Sequence, residues 1–315
     1  MRARPPVAVA LVFVAGLAAG LPGCGREPAR PSRPGEADSA RAARAAAAAR
    51  PAVTYQRHPV GGAAALRAFQ RGLSEANFRL VLKVNRRDLA HVRDRDTLAV
   101  PYPFVDELDL APFPAVLPGA GSLPKLVLVS LRVQAFGVYE GGRLRHWGPT
   151  STGRRDKPTP PGLYHANWKA KERTSTIDDE WLLRWCVNIE NSGISLHQYD
   201  LPGYPASHAC VRLLEEDARR VYDFVDQWRL APGGRQVLEE GTPVVIFGEY
   251  GFGRRPPWKS LPEDPRAADV PLAEVEEALR RYLPAYGAAR ETAVAESAAP
   301  EIAAPESAAP ESVSP

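Results

Sequence analysis

Apolar and polar residues alternate over much of the middle of the chain. Residues 125–147, KLVLVSLRVQAFGVYEGGRLRHW, alternate on both sides of a Gly141-Gly142 pair, which predicts a β-hairpin. Further strands are predicted at residues 181–189, 194–197 and 243–248. Many short strands with few helices indicate a mainly β domain, over residues 124–250, rather than a parallel βαβ sheet.

Helical spacing marks three segments. After residue 213, apolar side chains recur at steps of three and four, and acidic residues fill the first turn, where the helix dipole favours negative charge. The apolar face of this prominent helix comprises Leu214, Ala218, Val221, Val225 and Trp228. Residues 64–77 show similar spacing, and a short helix is predicted near residues 271–283. Residues 251–286, a Pro-rich strap with this helix, are expected to pack back on the domain.

The first residues have a pattern that is typical of an export signal. A short basic start precedes the apolar residues 7–21, a segment too short to span a bilayer comfortably. The LPGC that ends at Cys24 resembles a bacterial lipobox, which implies that residues 1–24 are a signal peptide with its lipobox and that Cys24 is acylated and becomes the mature N-terminus. Pro22 departs from that pattern, so ordinary cleavage, an uncleaved anchor and a chance cysteine stay open. We expect a periplasmic lipoprotein, with the outer membrane favoured because Gly25, not Asp, follows Cys24.

Composition divides the rest of the chain. Residues 25–63 begin rich in Arg, Ala and Pro and are predicted to be a flexible tether, and residues 104–123 a linker. In residues 287–315, Glu and Pro recur in units like ESAAP, which predicts a disordered tail. The net charge is only +3 and the Lys and Arg residues are spread out, so no nucleic-acid partner is expected.

Candidate chemistry is concentrated in the sequence SHACVR, residues 207–212. A cysteine attacks as the thiolate, and a neighbouring imidazole can take its proton; His197 and His208 are both candidates. Arg212 brings a fixed positive charge that would lower the pKa of Cys210 or bind a substrate carboxylate. The backbone N–H groups of residues 208–210 precede a predicted helix and are candidates for an oxyanion hole.

Three other roles for Cys210 remain open from the residues alone. It is a candidate core thiol, a candidate zinc ligand with His197 and His208, and a candidate disulfide partner of Cys186. Cys186 lies in an apolar, strand-like run, which favours a small buried side chain instead.

The segment HQYDLPGYPASHACVRL resembles the signature of the YkuD-type L,D-transpeptidases: a His, a spacer, then Ser/Thr-His-Gly-Cys, a branched apolar residue, and Arg or Asn. The matching positions are His197, Ser207, His208, Cys210, Val211 and Arg212. STGRRDKPTPPGLYHANW and GTPVVIFG are similar to other parts of the family, so the likeness covers about 125 residues. Two departures stand out. Ala209 replaces the usual Gly at a position where the backbone is expected to need a positive φ. The spacer from His197 to Ser207 is also shorter than in many members of the family.

The resemblance implies a β-sandwich-like catalytic domain that needs no metal or organic cofactor. It implies that Cys210 is the nucleophile and His197 the general base, and that Ser207, His208, Ala209 and Arg212 bind substrate or the oxyanion. The implied reaction releases D-alanine from a peptidoglycan tetrapeptide stem through a Cys thioester and forms a 3→3 cross-link. Water as acceptor would make the protein an L,D-carboxypeptidase, and a protein Lys would make it an anchoring enzyme.

A small α/β unit is predicted at residues 64–103. Its second half, VLKVNRRDLAHVRDRDTLAVP, resembles a LysM module, which implies binding to peptidoglycan glycan strands; a helical pro-segment is the alternative. Together with Ala209, this likeness motivates a second hypothesis, a wall-binding lipoprotein with an impaired catalytic domain. A zinc amidase is the third.

Overall fold

The structure is a computed structural model that describes residues 50–175 and 181–283. The predictions for the signal segment, Cys24, the tether up to residue 49 and the tail at residues 287–315 lie outside these residues. Within the described ranges, none of the helices combines the length and apolar character needed to span a membrane.

Thirteen strands and four α-helices are formed by the described residues. The strands are β1 (Thr54–Pro59), β2 (Thr97–Tyr102), β3 (Lys125–Ser130), β4 (Ala135–Glu140), β5 (Arg143–Pro149), β6 (Gly162–His165), β7 (Trp168–Thr174), β8 (Leu182–Asn188), β9 (Ser195–Gln198), β10 (Val211–Leu213), β11 (Arg229–Leu230), β12 (Val237–Glu239) and β13 (Pro243–Phe247). The helices are α1 (Ala63–Arg71), α2 (Glu75–Val84), α3 (Glu215–Phe224) and α4 (Leu272–Tyr282).

Two sheets build the main domain, which confirms the mainly β prediction. One has the order β5-β4-β3-β13-β6 and the other the order β10-β9-β8-β7. The predicted hairpin is β4–β5, and its turn glycines, Gly141 and Gly142, have φ values of 52° and 70°, as a two-residue turn of this hand requires. β3 extends the hairpin to three strands, and β13 runs parallel to β3.

The central strand β3 is buried on both faces, which explains its unbroken apolar sequence. Val127 and Val129 pack with residues of the second sheet and of α3, whereas Leu126 and Leu128 face a second core on the opposite side. The second core includes Trp258 of the C-terminal strap. The second sheet and α3 therefore cover one face of the central sheet, and the C-terminal strap covers part of the other.

The strap packs on the domain as predicted, but residues 104–123 are not a simple linker. Leu261 of the strap and Val275 of α4 are buried in the same core, as are Phe113 and Leu117. The linker prediction is therefore wrong for this segment, because its apolar residues fill the sheet face that the strap leaves open. α3 also ends before Trp228, whose N–H donates to the carbonyl of Ala166 instead.

The first described residues form a small unit of two strands and two helices. β1 pairs antiparallel with β2, and Val60, Val81 and Leu98 form a separate small core. The tether prediction is wrong for Thr54–Pro59, since this segment is a strand. The helical pattern at residues 64–77 is divided by Gly72, and α2 begins after Ser74, whose hydroxyl accepts from the Asn77 N–H. The α/β character is confirmed; the LysM assignment stays a prediction.

A buried cluster of charged residues joins this unit to the main domain. Lys83 Nζ of α2 lies 2.9 Å from Asp217 Oδ1 of α3 and 2.7 Å from Glu107 Oε1. His146 Nε2 lies 2.8 Å from the same Asp217 oxygen. His146 is therefore buried beside this carboxylate.

Candidate functional site

The strands β9 and β10 bring the two candidate catalytic side chains together. They run parallel, with Arg212 opposite His197, and Cys210 directly precedes β10. Cys210 and His197 therefore come from neighbouring strands and line one narrow cleft. The cleft is lined by Ser175, Trp181, Leu183, His197, Tyr199, Ser207, His208, Cys210 and Arg212.

The His197 imidazole is held in one tautomer. Its Nδ1 lies 2.9 Å from the backbone carbonyl of Gln198, and a carbonyl can only accept, so Nδ1 carries the proton. Burial lowers the pKa of His197 to about 4; the bond to Gln198 opposes this shift, and the charge of Arg212 adds to it. The ring is therefore neutral near neutral pH, with Nε2 free to accept a proton.

The Cys210 thiol is not paired with another cysteine. Its Sγ lies 3.6 Å from the carbonyl oxygen of Gly193, to which the thiol donates. Burial raises the pKa of Cys210, although a backbone hydrogen bond from Ser195 and the charge of Arg212 lower it in part. The residue is a thiol at rest and needs a base when it attacks.

Ser207 and Ala209, two of the predicted site residues, lie in a tight turn. Ser207 is buried, its hydroxyl donates to the carbonyl of Cys210, and its N–H donates to the carbonyl of Thr152 at 3.0 Å. Ser207 lines the cleft, but its hydroxyl is bonded within the turn. Ala209 has a φ of 81°, which confirms the expected positive φ at this position.

The segment STGRRDKPTPPGLYHANW, residues 151–168, contacts this turn through Thr159. The hydroxyl of Thr159 donates to the carbonyl of Ala209 at 2.8 Å and accepts from the N–H of Gly153 at 2.8 Å. A Cβ at Gly153 would lie 2.2 Å from the carbonyl oxygen of Lys157, so only glycine fits. Because the C=O and N–H of a trans peptide point in opposite directions, the N–H of Cys210 points away from Thr159.

We expect Ala209→Gly to raise the free energy of unfolding by about 1 kcal/mol. A Cβ at positive φ costs roughly 1–2 kcal/mol, and glycine removes this strain at some cost in unfolded-state entropy. Ala206→Gly, in the same loop but without a positive φ, is the matched control and should lower stability by up to about 1 kcal/mol. Urea unfolding measures both; an equal loss for the two variants would contradict the strain at Ala209.

Aromatic rings and one guanidinium form the wall of the cleft. The Arg212 guanidinium lies 4.5 Å from the ring centroid of Tyr199, and within the described ranges no carboxylate is at ion-pair distance from it. Tyr199 also contacts the rings of Trp181 and His197. His208 packs against Trp181, with ring centroids 5.4 Å apart, and its buried Nδ1 has no hydrogen-bond partner among the residues that the structure describes. A positive charge in an aromatic cleft suits a substrate carboxylate.

The alternatives for Cys210 are resolved by geometry. Cys186 and Cys210 are both free, and Cys186 is fully buried, as its apolar neighbours predicted. Among the residues described, the metal-binding geometry is met by Asp88, His91 and Asp200 alone, a group that lacks Cys210. The described residues therefore do not bring the ligand atoms of His197, His208 and Cys210 within metal-binding distance of one another.

Two groups that form hydrogen bonds with residues 209 and 210 were not predicted from the sequence. Thr159 lies in the segment STGRRDKPTPPGLYHANW, which resembles the family, but its hydrogen bond to Ala209 was not predicted. The carbonyl of Gly193 lies in the turn before β9, where Gly193 has a φ of 108°. The Gly in the sequence NSG was the available signal for that turn.

Comparison with known proteins places this geometry in context. Residues 124–246 match the YkuD family, described as the L,D-transpeptidase catalytic domain. L,D-transpeptidase 1 of Mycobacterium tuberculosis, in strains H37Rv and CDC 1551, is 29% identical over 116 residues. The alignment covers 31% of this chain and 45% of the curated relatives, so it spans less than half their length.

Solved structures give further similarities. An L,D-transpeptidase from Stackebrandtia nassauensis is 26% identical, with a TM-score of 0.34, over 41% of this chain and 58% of that one. The structure of Mycobacterium tuberculosis L,D-transpeptidase 1 is 21% identical, with a TM-score of 0.31, over 39% of this chain and 62% of that one.

Proposed function

We propose that this protein is a cysteine-dependent transpeptidase acting on peptidoglycan stem peptides, because its residues 124–246 match the YkuD family, the L,D-transpeptidase catalytic domain. The observation that carries the proposal is the shared cleft of Cys210 and His197, with the imidazole neutral and its Nε2 free. A neutral base beside a thiol is what nucleophilic catalysis by cysteine requires.

In the first half-reaction, His197 Nε2 takes the proton of Cys210 as the sulfur attacks the carbonyl of the third stem residue. The oxyanion is stabilised by backbone N–H groups of the turn, including that of Cys210. The C–N bond to the terminal D-alanine then breaks, and the leaving amine takes the proton from His197. Arg212 binds a stem carboxylate during this step, and the product is a thioester on Cys210.

In the second half-reaction, an amine of a neighbouring stem attacks the thioester carbonyl. His197 accepts the proton from this amine and returns it to the sulfur as the C–S bond breaks. The new amide is a 3→3 cross-link when the amine is a diaminopimelate side chain. Water in place of the amine gives L,D-carboxypeptidase activity.

Purified protein incubated with tetrapeptide-containing muropeptides tests the proposal. We expect free D-alanine together with cross-linked dimers in a mass spectrum of the products. Release of D-alanine without dimers would indicate the L,D-carboxypeptidase. Binding of muropeptides without any turnover would contradict the proposal and favour the wall-binding lipoprotein suggested by Ala209.

The acylation rate of Cys210 by a carbapenem should stay constant between about pH 7 and about pH 5. An ordinary histidine becomes protonated near pH 6.5, but His197 keeps its neutral, basic form until the pH falls to about 4. N-acetylcysteine is the control, because a free thiol loses reactivity about ten-fold per pH unit in this range. A rate that falls with a midpoint near the ordinary histidine value would contradict the buried neutral base.

We also propose that the chain is exported and that Cys24 is acylated, supported by the basic start, the short apolar segment and LPGC. Metabolic labelling with a fatty-acid analogue should mark the wild-type chain and not Cys24→Ala. Equal labelling of the two would exclude Cys24 as the lipidated residue.

A further inference from the structure

The loop of residues 199–206 connects the general base with the nucleophile. It leaves β9 directly after His197 and Gln198 and returns to Ser207, at the start of the turn that carries Cys210. It also carries Tyr199, whose ring lies 6.0 Å from that of His197 and under the Arg212 guanidinium. The position of this loop therefore sets the surroundings of the base.

Asp88, in the N-terminal unit, holds this loop by two hydrogen bonds. Its N–H donates to the carbonyl of Leu201 at 3.0 Å, and the N–H of Leu201 donates to Asp88 Oδ2 at 2.7 Å. The other carboxylate oxygen accepts from the His91 N–H at 2.9 Å and lies 2.8 Å from the His91 ring Nδ1. Because both oxygens are bonded and Leu201 is fully buried, the contact has little freedom.

The neighbouring Arg87 reinforces the contact. Its side chain lies against Gly203, where φ is +87° and a Cβ would come within 2.8 Å of Arg87 Nε. The guanidinium is fixed by the Asp96 carboxylate at 2.8 Å and by the carbonyl of His91 at 2.6 Å. Gly203 thus allows the N-terminal unit to approach the loop closely.

The main domain holds the other end of the same loop. The hydroxyl of Ser151 donates to the carbonyl of Tyr204 at 2.8 Å and accepts from the N–H of Ala206 at 3.1 Å. The loop is therefore fixed at Leu201 by the N-terminal unit and at residues 204–206 by the domain. Removal of either contact frees one half of it.

We infer that Asp88 is a positioning residue for catalysis: through Leu201 it holds the loop that orders Tyr199 and His197 beside Cys210. The inference rests on the proposed function. It assigns the N-terminal unit, which lies outside the matched residues 124–246, a part in assembling the active site. Catalytic groups need placement to a fraction of an ångström, and a displacement of about 1 Å can cost up to about 100-fold in rate.

Carbapenem acylation of the full chain, followed by intact mass spectrometry at several inhibitor concentrations, tests this role. We expect Asp88→Ala to lower the saturating acylation rate about ten-fold and to change the half-saturating concentration by less than about two-fold. Asp88→Asn keeps one oxygen for the Leu201 N–H and should lose only about three-fold. Asp94→Ala, at an exposed Asp of the same unit, should match the wild type.

Two outcomes would overturn the inference. One is a folded Asp88→Ala variant, judged by its thermal midpoint, that is acylated at the wild-type rate. The other is a loss that Asp88→Asn does not partly restore, or one that appears only in the half-saturating concentration. If Asp88→Ala does not fold, Asp88→Asn decides: a rate equal to wild type overturns the inference. A wild-type chain that is not acylated at all would instead overturn the proposed function.

Discussion

Replacement of Cys210 by alanine is expected to abolish D-alanine release from tetrapeptide stems. Loss of the nucleophile in an enzyme that forms a covalent intermediate costs at least about three orders of magnitude in kcat. The neutral imidazole of His197 does not compensate, because its Nδ1 is bonded to Gln198 and no thioester can form without the sulfur. The measurement is D-alanine released per enzyme under saturating muropeptide.

Cys186→Ala is the matched control for this experiment. Cys186 is a free cysteine of the same sheet, fully buried, and it does not line the cleft. Burial raises its pKa to about 11, so it is an unreactive thiol at neutral pH. We expect the control to retain turnover. D-alanine release by Cys210→Ala at the wild-type rate would show that the chemistry lies elsewhere.

The second large effect concerns the buried charges between the N-terminal unit and the domain. Lys83→Met is expected to lower the free energy of unfolding by about 3–5 kcal/mol, because it leaves the buried carboxylate of Asp217 without its cation. Within residues 50–175 and 181–283, Asp217 Oδ2 has no hydrogen-bond partner, so the carboxylate depends on the contacts of Oδ1. Denaturant unfolding at neutral pH measures the change.

Arg79→Met is the matched control, since Arg79 lies on the same helix and pairs with two carboxylates at 3.5 Å while remaining half exposed. Surface pairs of this kind contribute about 0–1 kcal/mol, so its loss should be small. Equal losses for the two variants would contradict the burial argument.

The pH dependence of Lys83→Met gives a second check on the same cluster. Burial alone would raise the pKa of Asp217, but Lys83 and His146 outweigh it, so the folded pKa lies below its ordinary value. A carboxyl group whose pKa is lower in the folded than in the unfolded protein stabilises the fold at pH values above its unfolded pKa. This stabilisation is lost as the pH falls through its folded pKa. In Lys83→Met, burial still destabilises the charged Asp217 carboxylate. Protonation of Asp217 at lower pH removes this cost. The stability difference between variant and wild type should therefore narrow as the pH falls toward about 4.

Local patterns predicted the local elements well. The Gly141-Gly142 hairpin and the helix after residue 213 follow from periodicity and turn chemistry within a short segment, and both are confirmed. The positive φ of Ala209 was likewise expected, because the related signature has glycine there. These features depend on residues close in sequence, where the physical constraints are strongest.

Contacts between distant residues were not predictable in the same way. Lys83 meets Asp217 across 134 positions, and neither residue carries a mark of burial in its own segment. His146 lies in β5, but only the folded chain places the carboxylates of Asp217 and Glu107 beside it. The apolar residues of 104–123 could be recognised, yet which sheet face they cover depends on the whole fold.

The proposed catalytic pair, Cys210 and His197, was predictable in part. The signature placed Cys210 and His197 in one site by resemblance, but the residues alone left His208 and a zinc site open. The parallel register of β9 and β10 and the bond of His197 to Gln198 distinguish the two histidines. The register depends on strand pairing, which spacing along the chain does not reveal, and the bond depends on the orientation of the His197 ring in the folded chain.

The most direct test of the account is peptide mapping of the wild-type chain after incubation with a carbapenem. If the Cys210 sulfur attacks with its proton taken by His197, one inhibitor molecule is bound covalently, and the modified peptide contains Cys210. The adduct is absent in Cys210→Ala. An unmodified wild-type mass, or an adduct that persists in Cys210→Ala, would contradict the account.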